Sequence, residues 1–182
     1  MKVVACAMVG LVLLVVSLGT IVAGVSSPAK RPREMPEGFR QLYVAAAESC
    51  PGLPAEVLMG IGDIESGHGA NPGPSSAGAI GPMQFMPETW AEYGLDVDGD
   101  GVADPWDEAD AIYGAARMLC ANGAGNLETL VAAIGRYNPG DPSYPATILD
   151  AAVAYAAESP LPVTDEGGSV EGTLLPAGSP AP

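Results

Sequence analysis

The chain has 182 residues, of which 24 are Gly and 18 are Pro, and charged residues make up 16%. Its formal net charge is −15, because 22 carboxylates face seven Lys and Arg. That length allows one domain with appendages, and the apolar content excludes a wholly disordered chain. Beyond Arg33 the only cations are Arg40, Arg117 and Arg136. So acidic a surface excludes generic nucleic-acid binding, which needs cationic neutralisation of phosphates.

Residues 3–25 carry no charge, and 18 of these 23 are hydrophobic. As a helix, such a run spans about 35 Å, enough for a bilayer core. Lys2 precedes it, as in a secretory signal, and Lys30, Arg31 and Arg33 follow it. Residues 1–27 therefore read as a signal peptide or an N-terminal membrane anchor, and 28–35 as a linker. Either reading takes the rest of the chain across a membrane. Cys6 lies within the apolar run, which leaves Cys50 and Cys120 as an even pair in the exported part. An oxidising compartment lets them join as a disulfide; two separate buried thiols are the alternative.

The folded domain is expected over 36–158. Phe39, Tyr43, Ala46 and Ala47 repeat at helical spacing up to Cys50-Pro51-Gly52. Pro54 suits the first position of a second helix, whose apolar stripe is Val57, Leu58, Ile61 and Ile64. Pro87 opens a short helix through Trp90 and Tyr93. Asp107 to Leu119 carries Ile112, Ala115, Ala116 and Leu119 on one face. Asn126 reads as the N-cap of a helix from Leu127 to Tyr137, with Glu128 in its first turn. A last helix is expected over Ala146 to Ala157. No stretch alternates with period two, so the fold class is all-α, with short helices between Gly- and Pro-rich loops. Residues 159–182 have the composition of a disordered Pro/Gly/Ser tail.

Glu65 stands in GIGDIESGHG, where the apolar stripe stops and the glycines begin. A carboxylate there meets the negative end of the helix dipole, and burial against the GPMQFMP segment would desolvate it. Both effects raise its pKa, which is how a glutamate stays protonated to act as a general acid. From this fragment alone, an exposed Glu at a fraying helix end is the stronger reading. Asp63, two residues away, points to another helix face and reads as structural or surface. Ser66 reads as a lock on the helix end. His68, the sole histidine, has no Cys or Ser partner with a nucleophile signature.

ESGHG, then GAIGPMQFMPETW, then RYN at 136–138, in this order, resemble the lysozyme-like lytic transglycosylases of peptidoglycan. The likeness is closest to the membrane-bound B type and covers about 56–157. It implies a lysozyme-like domain in which Glu65 is the one catalytic acid/base and no cofactor serves catalysis. Glu65 would protonate the glycosidic oxygen between N-acetylmuramic acid and N-acetylglucosamine. It would then deprotonate the muramoyl C6 hydroxyl, which closes a 1,6-anhydro ring. Other glycosidases need a second carboxylate; here the substrate supplies its own hydroxyl. The resemblance further implies that Ser75 orients the acetamido group, Gln84 hydrogen-bonds in the cleft, and Met83 and Phe85 wall the floor around Glu65. Tyr137 matches the tyrosine near the carboxylate, and Asn138 fixes that turn. The family often has a second tyrosine some six residues on, whereas Tyr144 lies seven past Tyr137, beyond a Pro-Gly-Asp-Pro loop.

Residues 96–110 (DVDGDGVADPWDEAD) contain seven carboxylates, which repel one another without a cation. Asp96, Asp98, Asp100 and a following glycine match a calcium loop, with the Val102 carbonyl next in order. Asp107 stands where that loop usually has Glu. The transglycosylases resembled here have a longer loop, whose last acid matches Asp110. A structural calcium is expected, with a solvated Asp/Gly turn as the alternative. The expected partner is peptidoglycan glycan strands, together with the membrane if the N-terminal segment stays uncleaved. The expected state is an extracytoplasmic monomer without nucleic acid. A lysozyme-like muramidase using Glu65 and water, or a non-catalytic calcium-stabilised wall-binding module, are the competing functions.

Overall fold

The computed structural model describes residues 32–158. The apolar run and most of the basic flank expected to form a signal or anchor, and the Pro/Gly/Ser tail, lie outside the described residues. Among those described, no helix is long and apolar enough to cross a membrane. The six helices are α1 (Phe39–Glu48), α2 (Ala55–Ser66), α3 (Pro87–Tyr93), α4 (Glu108–Ala121), α5 (Leu127–Tyr137) and α6 (Tyr144–Glu158). The one β-type pairing among them is an isolated antiparallel bridge, Ile80 to Phe85.

α2 is the central element, packing on α6 most extensively and also on α1 and α4. Pro54 is its N-cap in extended conformation rather than its first helical residue, and Ala55 opens the helix. The expected one-sided stripe understates its burial. Val57, Leu58 and Ile61 are buried, but so are Met59, Gly60, Gly62 and Asp63, whereas Ile64 is exposed. A helix enclosed by neighbours buries more than one face, so periodicity alone assigns its sides poorly. Two glycines make the enclosure possible. A Cβ on Gly60 would lie 2.9 Å from the Ile148 carbonyl oxygen of α6, and one on Gly62 would fall on the Tyr43 hydroxyl of α1.

The other helices follow their apolar spacing. α1 buries Phe39, Tyr43, Ala46 and Ala47, and α4 buries Ile112, Ala115, Ala116 and Leu119. Asp107 caps α4 by accepting from Ala109 N and Asp110 N, and Asn126 caps α5 by accepting from Glu128 N. α6 begins at Tyr144 instead of Ala146, because Pro145 falls in a first turn, where its missing N–H costs nothing. Cys50 and Cys120 form a disulfide across 70 residues, joining the end of α1 to the end of α4. Part of the expected linker packs on the domain: Met35 lies against the core and Arg33 against α2.

Candidate active site and acidic loop

Glu65 lies in the last turn of α2, half-buried. That turn ends in a left-handed Gly67 cap at φ 65°, whose N–H returns to Asp63 O, as helix C-termini favour. Tyr144, the first residue of α6, donates its hydroxyl hydrogen to Glu65 Oε1 at 2.5 Å. Behind it the Tyr137 ring runs nearly parallel, 7° between planes with centroids 6.3 Å apart. Tyr137 in turn donates to the Met83 carbonyl at 2.8 Å, and its ring packs on Phe85. Thus α2, α5, α6 and the 72–86 loop each contribute one wall. The departure in spacing noted at Tyr144 does not keep it from the carboxylate.

Burial raises the Glu65 pKa, and the Tyr144 hydrogen bond, which favours the ionised form, pulls it partly back. Burial and the neighbouring Glu65 charge push both tyrosine hydroxyls upward, so they remain protonated donors. A carboxyl with a raised pKa and a neutral donor on one oxygen is equipped both to give and to take a proton.

The remaining expected substrate contacts are placed differently from one another. Met83 and Phe85 are 0% and 2% exposed, so they support the floor from within the core. Gln84 takes a left-handed φ of 49°. Its Nε2 donates to Pro72 O at 2.8 Å and Gly81 O at 3.0 Å, so this amide holds the loop together. Ser75 is exposed, and its Oγ accepts from Ala79 N at 3.0 Å and Ala77 N at 3.3 Å. Asn138 ends α5, with its carbonyl accepting from Asp141 N. Neither Ser75 nor Asn138 hydrogen-bonds Glu65 or its two tyrosines.

A buried network lies behind Glu65, and within it Asp63 takes the structural of its two expected roles. Asp63, 7% exposed, is no surface residue: it pairs with Arg33 Nε at 3.4 Å and accepts from the Tyr155 hydroxyl at 3.1 Å. His68 bridges Tyr155 Oη at 2.7 Å and Tyr43 Oη at 3.0 Å. Ser66 donates to Pro82 O and accepts from Gly69 N, locking the helix end to the 72–86 loop as expected. A cavity of about 490 Å³ lies elsewhere, lined by Arg33, Met35, Arg40, Tyr155 and others, and it contains none of the expected site residues.

In the acidic loop, Asp96, Asp98 and Asp110 bring one oxygen each within 4.8 Å of one another. Asp110 is 1% exposed, and its oxygens accept from Val97 N and Asp104 N. Asp100 accepts from Val102 N and stands outside this cluster. Asp107, expected at the last ligand position of a standard loop, serves instead as the α4 cap; Asp110 takes its place in the cluster. An all-oxygen donor set with a buried carboxylate fits a hard divalent cation. The loop also touches the cleft loop: a Cβ on Gly81 would meet the Pro105 carbonyl, and Gly81 has φ 77°.

Comparison with known proteins agrees with this picture. Residues 72–135 match the transglycosylase SLT domain. The membrane-bound lytic murein transglycosylase B of Escherichia coli is 45% identical over 49 residues, 27% of this chain and 14% of that protein. This chain therefore spans a small part of that relative. The E. coli lytic transglycosylase Slt35, solved in complex with calcium, aligns with TM-score 0.55 at 20% identity over 66% of this chain and 72% of that one. SltB1 from Pseudomonas aeruginosa, a soluble lytic transglycosylase, aligns with TM-score 0.57 at 19% identity over 65% and 75%. The described domain thus shares its all-α fold with these lytic transglycosylases, and its segment 72–135 resembles the transglycosylase SLT domain.

Proposed function

We propose that this domain cleaves peptidoglycan glycan strands as a lytic transglycosylase, with Glu65 as its single acid/base. The observation that carries the reading is Glu65, half-buried and bonded to Tyr144, while the neighbouring Asp63 is engaged with Arg33 and Tyr155. Protonated Glu65 gives its proton to the glycosidic oxygen as the bond from C1 of N-acetylmuramic acid breaks. The resulting carboxylate, stabilised by the Tyr144 hydroxyl, then takes the proton of the C6 hydroxyl as that oxygen closes on C1. One carboxylate suffices because the nucleophile belongs to the sugar. In the same proposal Ser75 orients the acetamido group and Asn138 fixes the turn after Tyr137, while Gln84 holds the 72–86 loop through its two amide bonds.

The test is mass spectrometry of digested cell wall. Anhydro-muramoyl ends, absent with Glu65→Gln, are expected. Reducing ends would identify a muramidase instead, and no fragments from wild type would identify a binding module. We further propose that Asp96, Asp98, Asp110, Asp100 and the Val102 carbonyl hold a structural calcium, which would offset the loop's self-repulsion. The calcium complex of Slt35 supports this reading. Both peptidoglycan as substrate and the apolar N-terminal run point to an extracytoplasmic, envelope-associated site of action.

A further inference from the structure

The segment before α1 grips the helix that carries Glu65. Arg33 meets Asp63 at three points: its backbone N–H at 3.4 Å from Oδ2, its Nε at 3.4 Å from Oδ1, and its Nη1 at 3.2 Å from the carbonyl oxygen. That carbonyl is one of the last in α2, where a cation complements the negative helix end. Gly67 leaves room for the guanidinium, since a Cβ there would lie 2.6 Å from Arg33 Nη1.

From Asp63 the contacts continue through buried groups on three elements: Tyr155 of α6, His68 after α2, and Tyr43 of α1. If Tyr155 donates to Asp63, His68 donates through Nε2 and accepts from Tyr43 at Nδ1, a neutral tautomer that satisfies every member. Asp63 and His68 bracket Glu65 in sequence, so the network holds the turn from both sides. The backbone agrees: Gly67 N bonds Asp63 O at 3.0 Å and His68 N bonds Gly62 O at 2.8 Å. Arg33 is half-exposed, and as a surface ion pair it would contribute little. Its weight comes from Asp63, a buried carboxylate for which Arg33 is the only paired cation among the described residues.

We propose that Arg33 is a positioning residue for the reaction: it closes the rear of the last turn of α2 and, through Asp63, Tyr155, His68 and Tyr43, fixes the backbone that presents Glu65. The proposal rests on Glu65 as the acid/base. It makes the arm leading back to the apolar N-terminal run a working part of the catalytic unit.

The experiment compares the full chain with Arg33→Ala, Arg33→Lys, Asp63→Asn and the Arg33→Ala/Asp63→Asn double variant. Hydrogen exchange at the Gly67 and His68 amides should quicken about tenfold in Arg33→Ala, with the α4 amides unchanged. On soluble glycan strands kcat should fall about fivefold at constant KM, Arg33→Lys should recover most of it, and the double variant should match Asp63→Asn alone. Unchanged exchange at 67 and 68, a uniform rise across all helices, or equal kcat per folded molecule would each overturn the proposal. If the wild type releases no fragments, the reading of the reaction fails, while the exchange result still decides whether Arg33 holds the turn.

Discussion

Replacing Tyr144 with Phe removes one hydroxyl from the site and leaves the ring, which stays stacked on Tyr137. The lost group donates to Glu65 Oε1 at 2.5 Å, a charge-assisted contact when the carboxylate is ionised. Hydrogen bonds to charged groups contribute about 1.5–3 kcal/mol, and the lower end applies where water can partly replace the donor. The sign follows from the charge state. Without the donor the ionised form loses stabilisation, burial acts unopposed, and the Glu65 pKa rises further. At a pH above the transition, about 1.4 kcal/mol corresponds to roughly tenfold more of the acid form. The descending limb of the kcat–pH profile should therefore move to higher pH, while kcat at acid pH falls because the carboxylate formed in the first step is less stable. Stopped assays on soluble glycan strands across about pH 5 to 9 measure both. A descending limb that stays in place, or moves toward acid, refutes this account of how Tyr144 acts on Glu65.

Reducing the Cys50–Cys120 bond, which spans 70 residues, should cost about 4 kcal/mol in the chain-entropy estimate. For a domain of this size that lowers Tm by roughly 15 °C, and calorimetry with and without reductant reads it. Calcium at about a hundred times its Kd should add about 2.7 kcal/mol, a rise in Tm that a chelator reverses and Asp98→Asn abolishes. Burial holds the His68 pKa below its ordinary value, against the opposing pull of Asp63. Its folded-state value lies under the unfolded one, so its contribution to stability is present above about pH 6.5 and is lost as pH falls through the folded value. An NMR titration of this single histidine should give a midpoint below that of an exposed imidazole; a midpoint at or above it refutes the assignment.

The helices are legible where one apolar face meets one core, as in α1 and α4, or where a cap marks the start, as Asn126 does for α5. They are less so where the helix is enclosed: Ile64 fits the stripe of α2 but faces out, and Asp63 breaks the stripe but is buried. The carboxylate and its loop could be read because ESGHG and GAIGPMQFMP are local strings. The network of Arg33, Asp63, Tyr155, His68 and Tyr43 could not, since Asp63 meets Arg33 30 residues back and Tyr155 92 residues ahead. Nothing in spacing alone joins such distant positions. The cap at Asp107 had a signal that the calcium pattern masked: an aspartate directly before a helical apolar run. Gln84 shows the opposite limit, because the family resemblance implies substrate binding while both its donor contacts are made within its own loop.

The disulfide divides the site into a ring and a clasp. The covalent ring from Cys50 to Cys120 contains Glu65, the cleft loop and the acidic loop; Tyr137 and Tyr144 arrive on the α5–α6 hairpin that follows it. During synthesis the carboxylate is thus made well before its hydroxyl donor, and the ring can close with the catalytic constellation still incomplete. In the proposed mechanism, proton chemistry becomes available only when α6, the last helix described, docks along α2. A chain cut in the 122–126 turn should behave as two complementing fragments, with activity returning in proportion to their reassociation.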